Sequence, residues 1–319
     1  MSATVSAPIP MKRTMRDTLL SEILGQMDRG ENVFLLSADF GAPALDAIRE
    51  RHAERFINVG ISEQNLINVA TGLALEGYTV YAYAIAPFIT MRCCEQIRVN
   101  LAILSQVRPM NVNLIGVGAG FSYEVSGPTH HCLEDISIMR TFPNMDVISP
   151  SDVATAAALG AHCLGLRKPK YLRLDAKPVA TLHESVSGGD MRRGFKVMRQ
   201  GGDVCVIATG SIVHKVNEVC AGLNIGLVDQ MVVKGFDESA MVSLLKRYKK
   251  VVTVEEGFTG KGGLDAAIGT LILSNRLPTH LKAMGLKDNY IFHIGSREHL
   301  HEQNDLGRES ILREASSVA

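Results

Sequence analysis

Apolar positions follow two alternating patterns along the chain. Short continuous apolar runs predict buried strands, and longer stretches with an apolar residue every three or four positions predict amphipathic helices. In the first half, the predicted strands are 33–38, 56–59, 79–84, 110–116, 145–149 and 170–174, and the predicted helices are 15–28, 62–75, 90–105, 133–141 and 152–164. Strands that alternate with helices form mostly parallel sheets covered on both faces.

The same alternation resumes after a polar, glycine-containing stretch at 178–195. Here the predicted strands are 203–208, 225–228, 250–254 and 290–293, and the predicted helices are 212–223, 238–248 and 263–273. A chain of 319 residues has the usual length of two domains. We therefore predict an α/β protein with two doubly wound, mostly parallel sheets, divided into a domain at 1–180, a linker at 181–195 and a domain at 196–319.

The stretch at 55–76 (RFINVGISEQNLINVATGLALE) carries the first candidate for chemistry, Glu63. An apolar run ends at Gly60, Ser62 stands where a helix N-cap belongs, and apolar residues then recur at helical spacing. This order places a carboxylate at the carboxyl end of a strand, where open α/β sheets bind their ligands. Because the helix dipole also favours an acidic first turn, an ordinary helix start is the commoner explanation.

Composition and charge exclude several classes of function. The formal net charge is zero, which disfavours binding to nucleic acid or to an anionic membrane surface. The apolar runs are too short or too interrupted to span a bilayer, and no apolar core follows the N-terminal charges as in a secretory signal. The six cysteines lack CxxC spacing, and three histidines near the C-terminus (His293, His299, His301) lack an acidic cluster. We expect reduced thiols, no metal site on this chain and a cytoplasmic location.

The motif "VGISEQN…ATGLALEGY" resembles the pyrimidine-binding domain of transketolases and 1-deoxyxylulose-5-phosphate synthases, which use thiamine diphosphate. The resemblance covers nearly the whole chain and implies the fold given above, with a transketolase C-terminal domain in second place. It also implies that Glu63 contacts N1′ of the cofactor's aminopyrimidine. A carboxylic acid in a dry pocket can share a proton with that ring nitrogen and favour the imino form that deprotonates C2 of the thiazolium.

Three further motifs extend the resemblance. "FITMRCCEQIR" is similar to an aromatic-bearing helix of the family and implies that Phe88 stacks on the aminopyrimidine, although an ordinary core phenylalanine would also fit. "GPTHH" is similar to "GPTHQ" and implies that His130 lies beside the cofactor and hydrogen-bonds or protonates substrate oxygen. "SAD" implies that Asp39 lies near the cofactor, where a plain turn is the alternative. We add Ile61 as a fourth cofactor contact.

Substrate contacts are less defined by the motifs. Arg92 could pair with Glu95 on its own helix or face the substrate channel. His131, next to the motif histidine, is a further candidate. The loop at 116–131 contains G-x-G-x-G, but a nucleotide site is disfavoured because the G-x-G-x-x-G spacing is missing.

The chain departs from the family where sugar phosphates are bound. After "SAD" the sequence offers no hydroxyl, and Gly118-Ala119-Gly120 offers no cation. Ser126 replaces an acidic residue, and the phosphate-binding arginine falls on Ala176, beside Lys177. Lys177 supplies only a point charge, and each lost charge-assisted contact costs about 1.5–3 kcal/mol. We therefore expect a sugar other than an ordinary pentose or hexose phosphate.

The Gly-Asp-Gly motif that holds magnesium and the cofactor phosphates in this family does not occur in the sequence. The resemblance then implies a split transketolase, in which a partner subunit with the diphosphate-binding domain holds Mg²⁺ and the two chains form a heterotetramer. Such an enzyme transfers a two-carbon ketol unit between sugars. Two alternatives stay open: a decarboxylating subunit that uses a 2-oxo acid, like deoxyxylulose synthase, and a non-catalytic paralogue that only binds a partner.

Overall fold

The computed structural model describes residues 13–317, which form two sheets with helices on both faces. The larger sheet has seven strands in the spatial order β10–β5–β6–β4–β3–β1–β2. Its strands are β1 Val33–Ser37, β2 Phe56–Asn58, β3 Thr79–Ile85, β4 Asn111–Val117, β5 Asp146–Ile148, β6 Lys170–Leu174 and β10 Val232–Lys234. All neighbouring strands are parallel except β10 and β5.

Six α-helices accompany the first six strands: α1 Met15–Asp28, α2 Pro43–Arg51, α3 Glu63–Leu75, α4 Cys94–Gln96, α5 Asp135–Thr141 and α6 Val153–Gly165. Local capping sets two of these starts, because Thr14 accepts a hydrogen bond from the Asp17 amide and Asp152 forms a capping box with Thr155. The short α4 belongs to one helical segment that runs through π-helical Phe88–Arg92 and Ile97–Ile103 to Leu104–Gln106.

The smaller sheet has five strands in the order β12–β11–β8–β9–β7, and β7 is its antiparallel member. Its strands are β7 Lys196–Arg199, β8 Val204–Ala208, β9 Gly226–Asp229, β11 Lys250–Phe258 and β12 His280–Leu286. The helices of this half are α7 Gly188–Arg193, α8 Ile212–Val219, α9 Glu238–Leu245, α10 Leu264–Ser274, α11 Arg297–Gln303 and α12 Arg308–Ser316. The predicted α/β class with two mostly parallel sheets is confirmed.

One of the three buried apolar clusters extends across both halves of the chain. Tyr171 and Val147 of the first sheet belong to the same buried cluster as Cys205 and Val228 of the second. Strand β10 strengthens this connection, since it comes from the second half of the chain and pairs with β5 of the first sheet. The halves are therefore held together by main-chain hydrogen bonds as well as by apolar packing.

The predicted strand at 290–293 is wrong. These residues have no regular structure, and Phe292 is 76% exposed. The last strand is β12, an edge strand whose half-buried residues, among them Lys282 and Gly285, give only a weak apolar pattern. Helix α7 also lies in the stretch predicted as a linker. Among the described residues, no helix has both the length and the apolar character needed to cross a membrane.

Candidate functional site

Four connections of the larger sheet meet at one edge, where β1, β2, β3 and β4 end side by side. Strand β2 pairs with one side of β1 and β3 with the other, so the chain changes direction between β1 and β3. Such a switch point opens a crevice at the carboxyl ends of the strands. Asp39 follows β1, Glu63 follows β2, Phe88 follows β3 and His130 follows β4.

Glu63 is a buried carboxylate at the first position of α3. Only 6% of the residue is exposed, and Oε1 accepts a hydrogen bond of 2.8 Å from an Arg92 terminal nitrogen. Within residues 13–317, Arg92 is the one side chain that pairs with this carboxylate. Ser62 precedes the helix, but its hydroxyl donates to the Val59 carbonyl at 2.7 Å and does not cap α3. The start of α3 therefore leaves Glu63 facing the crevice with one partner.

Phe88 and His130 continue the same cluster. The Arg92 guanidinium carbon lies 3.9 Å from the centroid of the Phe88 ring, and the His130 ring meets that ring edge-on at 5.4 Å. The Thr129 hydroxyl lies 3.0 Å from His130 Nδ1. The structure thus brings together a carboxylate, an aromatic face and a half-buried imidazole from three separate connections.

Local geometry aims Phe88 and Arg92 at the crevice. Phe88 begins a π-helical turn directly after β3, and the Thr90 hydroxyl anchors that turn on the Ala86 carbonyl at 2.8 Å. The Gln64 side chain donates to the Arg92 carbonyl at 3.1 Å, which ties this turn to the start of α3. π-helical turns occur frequently at functional sites because they shift side chains off the ordinary helical register.

The glycines of the loop after β4 leave room for other side chains. A Cβ at Gly118 would lie 2.1 Å from the Tyr123 ring, and a Cβ at Gly120 would lie 1.9 Å from a Glu256 carboxylate oxygen. Both glycines have positive φ angles, +100° and +56°. Close packing within the chain therefore explains the G-x-G-x-G pattern without a nucleotide.

His131 is placed away from this cluster. It is 2% exposed, its Nε2 lies 3.3 Å from the Glu124 carbonyl oxygen, and its ring packs edge-on against Phe121 at 5.0 Å. Burial lowers the pKa of His131, which favours the neutral ring. The surroundings of His131 are those of a packing residue.

The remaining predicted residues lie around the rim. Asp39 accepts a hydrogen bond of 3.0 Å from the Asn58 amide group, whose oxygen accepts from the Gly60 amide at 3.0 Å. Ile61, two positions before Glu63, is 75% exposed. Asn58, which the sequence did not suggest, thus holds the turns after β1 and β2 together. Its position next to a strand end was the only signal for it.

Ser126 lies in the same loop as His130, and Lys177 follows β6. Ser126 is exposed at the tip of that loop, and Lys177 forms an ion pair with Glu124. Lys177 also lines a cavity of about 380 Å³ between the two halves of the chain. Arg92, for which the sequence left open a pair with Glu95 or a place facing the substrate channel, pairs with Glu63.

The edge of the second sheet carries an ion network that the sequence did not suggest, and it lines the same cavity as Lys177. Arg297 pairs with Asp175 and Glu256, and it donates to the Ser211 hydroxyl at 2.6 Å. His301 also bonds to Glu256. Burial alone would raise the pKa of Glu256, but the Arg297 charge and the hydrogen bonds from Arg297 and His301 hold it well below its usual range.

A second buried pair connects the sheets. Arg173 in β6 donates to Asp135 at 2.8 Å and to the Glu256 carbonyl at 2.9 Å. The Tyr171 hydroxyl also donates to Asp135, at 2.7 Å. Arg173 is therefore committed to interactions within the chain.

The cluster around Glu63 offers a carboxylate acceptor beside an aromatic face, the two features that an aminopyrimidine ring would need. A flat group that donates hydrogen bonds, the Arg92 guanidinium, already lies over Phe88 and donates to Glu63. An aminopyrimidine ring is also flat and would place its N1′ against the same carboxylate. Among residues 13–317 there is no group of three or more His, Cys, Asp or Glu side chains that could hold a metal ion.

Comparisons with known proteins agree with this geometry. The family description "Transketolase, pyrimidine binding domain" matches residues 11–179, and "Transketolase, C-terminal domain" matches residues 194–311. The chain is 30% identical over 310 residues to a 6-deoxy-6-sulfo-D-fructose transketolase subunit of Clostridium sp. (strain MSTE9), covering 95% of this chain and 94% of that one. It is also 30% identical over 274 residues to one of the subunits of the apulose-4-phosphate transketolase of Actinobacillus succinogenes, covering 83% and 85%.

A solved structure gives the same picture. A protein described as a split gene transketolase, in an inactive beta4 tetramer, superimposes with a TM-score of 0.82 at 26% identity and covers 95% of this chain and 97% of its own. Sequence, fold and site geometry agree. The chain belongs to the transketolase family and carries its pyrimidine-binding and C-terminal domains.

Proposed function

We propose that this chain is the pyrimidine-binding subunit of a two-component, thiamine-diphosphate-dependent transketolase that transfers a two-carbon ketol unit between sugars. The observation that carries the proposal is the buried Glu63 carboxylate, which lies beside the Phe88 face and near the His130 imidazole at a sheet switch point. Bound thiamine diphosphate would supply the carbon that takes up and releases the two-carbon unit.

Each candidate residue of this chain has a separate role in the proposed reaction. Glu63 holds N1′ of the aminopyrimidine and shares a proton with it, and Phe88 supports the ring by stacking. His130 hydrogen-bonds the substrate's oxygen and moves its proton. Asp39 and Ile61 line the mouth of the crevice. Ser126, in the His130 loop, and Lys177, on the wall of the cavity between the two halves, are the proposed contacts to the rest of the sugar.

The diphosphate and Mg²⁺ belong to a partner subunit, and the active enzyme is a heterotetramer. Four apolar side chains near the site are exposed and support a subunit interface there: Ile61, Met91, Val99 and Ile103. The relative described as an inactive beta4 tetramer is an assembly of one subunit type without activity. All six cysteines are free thiols and five are buried, which is consistent with a cytoplasmic enzyme.

The substrate is a sugar outside the ordinary pentose and hexose phosphates. Two relatives are named for a sulfonated fructose and for apulose 4-phosphate, which are both unusual ketoses with an acidic group. In this chain Lys177, next to the position of the missing phosphate arginine, is paired with Glu124 and is therefore already partly neutralised. Normal kinetics with xylulose 5-phosphate and ribose 5-phosphate would contradict this assignment.

Substitution of Glu63 tests the proposal. Glu63→Gln should lower ketol transfer by about 10²–10⁴-fold in the complex with the partner, because the amide cannot share a proton with the ring nitrogen. Glu76→Gln, at the exposed end of the same helix, should retain full activity. Assembly is measured by light scattering for both variants. An unchanged rate in Glu63→Gln would indicate the non-catalytic paralogue, and activity only with a 2-oxo acid donor would indicate the decarboxylating synthase.

A further inference from the structure

The Arg92 side chain occupies the place that the proposed function gives to the aminopyrimidine ring. Its guanidinium lies over the Phe88 ring at 3.9 Å and donates to Glu63 Oε1 at 2.8 Å. These are the two contacts, stacking and a hydrogen bond to the carboxylate, that a flat nitrogen-containing ring would make. Both cannot be present at once, since the guanidinium and the ring would need the same volume.

We infer that the Arg92 side chain competes with the cofactor for this position over Phe88. The side chain must therefore move away before thiamine diphosphate can bind. In the cofactor-free chain, the guanidinium satisfies a carboxylate that would otherwise be buried without a partner, which is costly. The Arg92 side chain is 47% exposed, whereas that of Glu63 is 7% exposed. The arginine can therefore swing toward solvent while the carboxylate stays in place.

The backbone around Arg92 supports a movement of the side chain alone. The Gln64 amide group holds the Arg92 carbonyl at 3.1 Å, so the turn that carries Arg92 stays fixed to the start of α3. Phe88, on the same turn, is held between Arg92 and His130. Rotation of the arginine side chain then exposes the Phe88 face and the Glu63 carboxylate together.

This inference depends on the proposed function and also has a consequence in the cofactor-free chain. Arg92→Met keeps most of the apolar stem and removes the guanidinium. Arg92→Met should lower the urea midpoint of the isolated chain, because it leaves Glu63 unpaired. The double variant Glu63→Gln/Arg92→Met should recover most of that loss, since no charge is then left without a partner. The shift of the double variant is compared with the sum of the shifts of Arg92→Met and Glu63→Gln measured singly. If the shifts simply add, the inference is overturned, because the pair then does not stabilise the empty site.

The second measurement is cofactor affinity, by calorimetry with thiamine diphosphate and Mg²⁺ on the complex with the partner subunit. Arg92→Met should bind about tenfold more tightly than the wild type, because no charge-assisted bond has to be broken first. Arg92→Lys, which keeps the charge but not the flat fork, should fall between them. Arg29→Met removes an exposed arginine at the end of α1 and should bind like the wild type.

The outcomes separate this inference from the proposed function. Equal or weaker cofactor binding by Arg92→Met, with normal binding by the wild type, would overturn the competition while leaving the proposed function intact. If no protein in the series binds thiamine diphosphate, the proposed function fails, and the competition fails with it. Coupled urea midpoints together with tighter binding in Arg92→Met would support both.

Discussion

Charged side chains lie at the carboxyl edges of both sheets, but they differ in the number of partners they have. At the first edge, Glu63 has one partner, and that partner is a half-exposed arginine on a neighbouring turn. At the second edge, Arg297 donates to Ser211 after β8 and to Glu256 near the end of β11, which are the two strands that flank the switch point. Arg297 therefore lies at this switch point, on the wall of the cavity that Lys177 also lines, and its charge is paired within the chain.

The difference shows how a shared architecture can serve binding in one place and cohesion in another. A buried charge with several fixed partners inside the chain stabilises the arrangement of the two halves, and most of its hydrogen-bonding capacity is already used. A buried charge whose one partner can move away is free to form a hydrogen bond or ion pair with a ligand. These contrasting partners agree with our proposal that the first edge binds the cofactor, whereas Arg297 connects Asp175 of the first half to Glu256 of the second.

The strongest test of this comparison is to open the second edge. Arg297→Met should reduce the free energy of unfolding by about 3–5 kcal/mol, because it leaves the Asp175 and Glu256 carboxylates buried without their cation. Urea denaturation at pH 7 measures the change. Arg308→Met removes an arginine from an exposed pair with Glu218 and should hardly change the stability.

Stability measurements at acid pH test whether the loss of stability in Arg297→Met has an electrostatic cause. The folded protein holds the pKa of Glu256 below its ordinary 4.5, so this carboxylate stabilises the fold above that pH and loses its contribution as pH falls toward the folded pKa. The stability difference between wild type and Arg297→Met should therefore shrink below pH 4.5. A difference that stays constant down to pH 3 would contradict an electrostatic origin.

A smaller effect is expected at the neighbouring carboxylate. Burial raises the pKa of Glu255 to about 7, since its main partners are amides that only partly offset desolvation. Between pH 4.5 and pH 7 the unfolded chain releases this proton while the folded chain retains it, so folding becomes less favourable as pH rises. Glu255→Gln should then gain about 1–3 kcal/mol over the wild type above pH 7.

The effect at Glu255 has to be measured at both ends of the pH range. Below pH 4.5 the advantage of Glu255→Gln should disappear, because Glu255 is then protonated in both states of the wild type. Urea denaturation at pH 4 and pH 8 gives the two values, with Glu76→Gln as an exposed control. A Glu255→Gln variant that is less stable than the wild type at pH 8 would show that a charged Glu255 is held by its surroundings, as Glu256 is.

Local sequence patterns predicted the part of the site that forms within single connections. The apolar run at 56–59 and the helical spacing after Ser62 placed Glu63 at a strand end, and the structure has that arrangement. The resemblance named Phe88 and His130, which the fold brings into contact from the connections that follow two neighbouring strands, β3 and β4. Their roles in catalysis stay a prediction.

Ion pairs between residues far apart in the sequence could not be predicted from local patterns. Arg92 and Glu63 are 29 positions apart, and Arg297 reaches Asp175 over 122 positions, so neither pair leaves a periodic signal. Strand β12 was also not predicted. It lies at the edge of its sheet and most of its residues are only half-buried, so it needs few apolar residues. Helix spacing offered Glu95 as one possible partner for Arg92, but the structure pairs Arg92 with Glu63, which is much farther away in sequence.

Calorimetry with thiamine diphosphate and Mg²⁺ tests the central claim most directly. The titration is made with this chain alone, with a diphosphate-binding transketolase subunit alone, and with the two mixed. The account predicts tight binding only in the mixture, and a weakened affinity when the mixture contains Glu63→Gln, because the first edge supplies half of the site. Tight, magnesium-dependent binding by this chain alone, or binding in the mixture that is indifferent to Glu63→Gln, would contradict it.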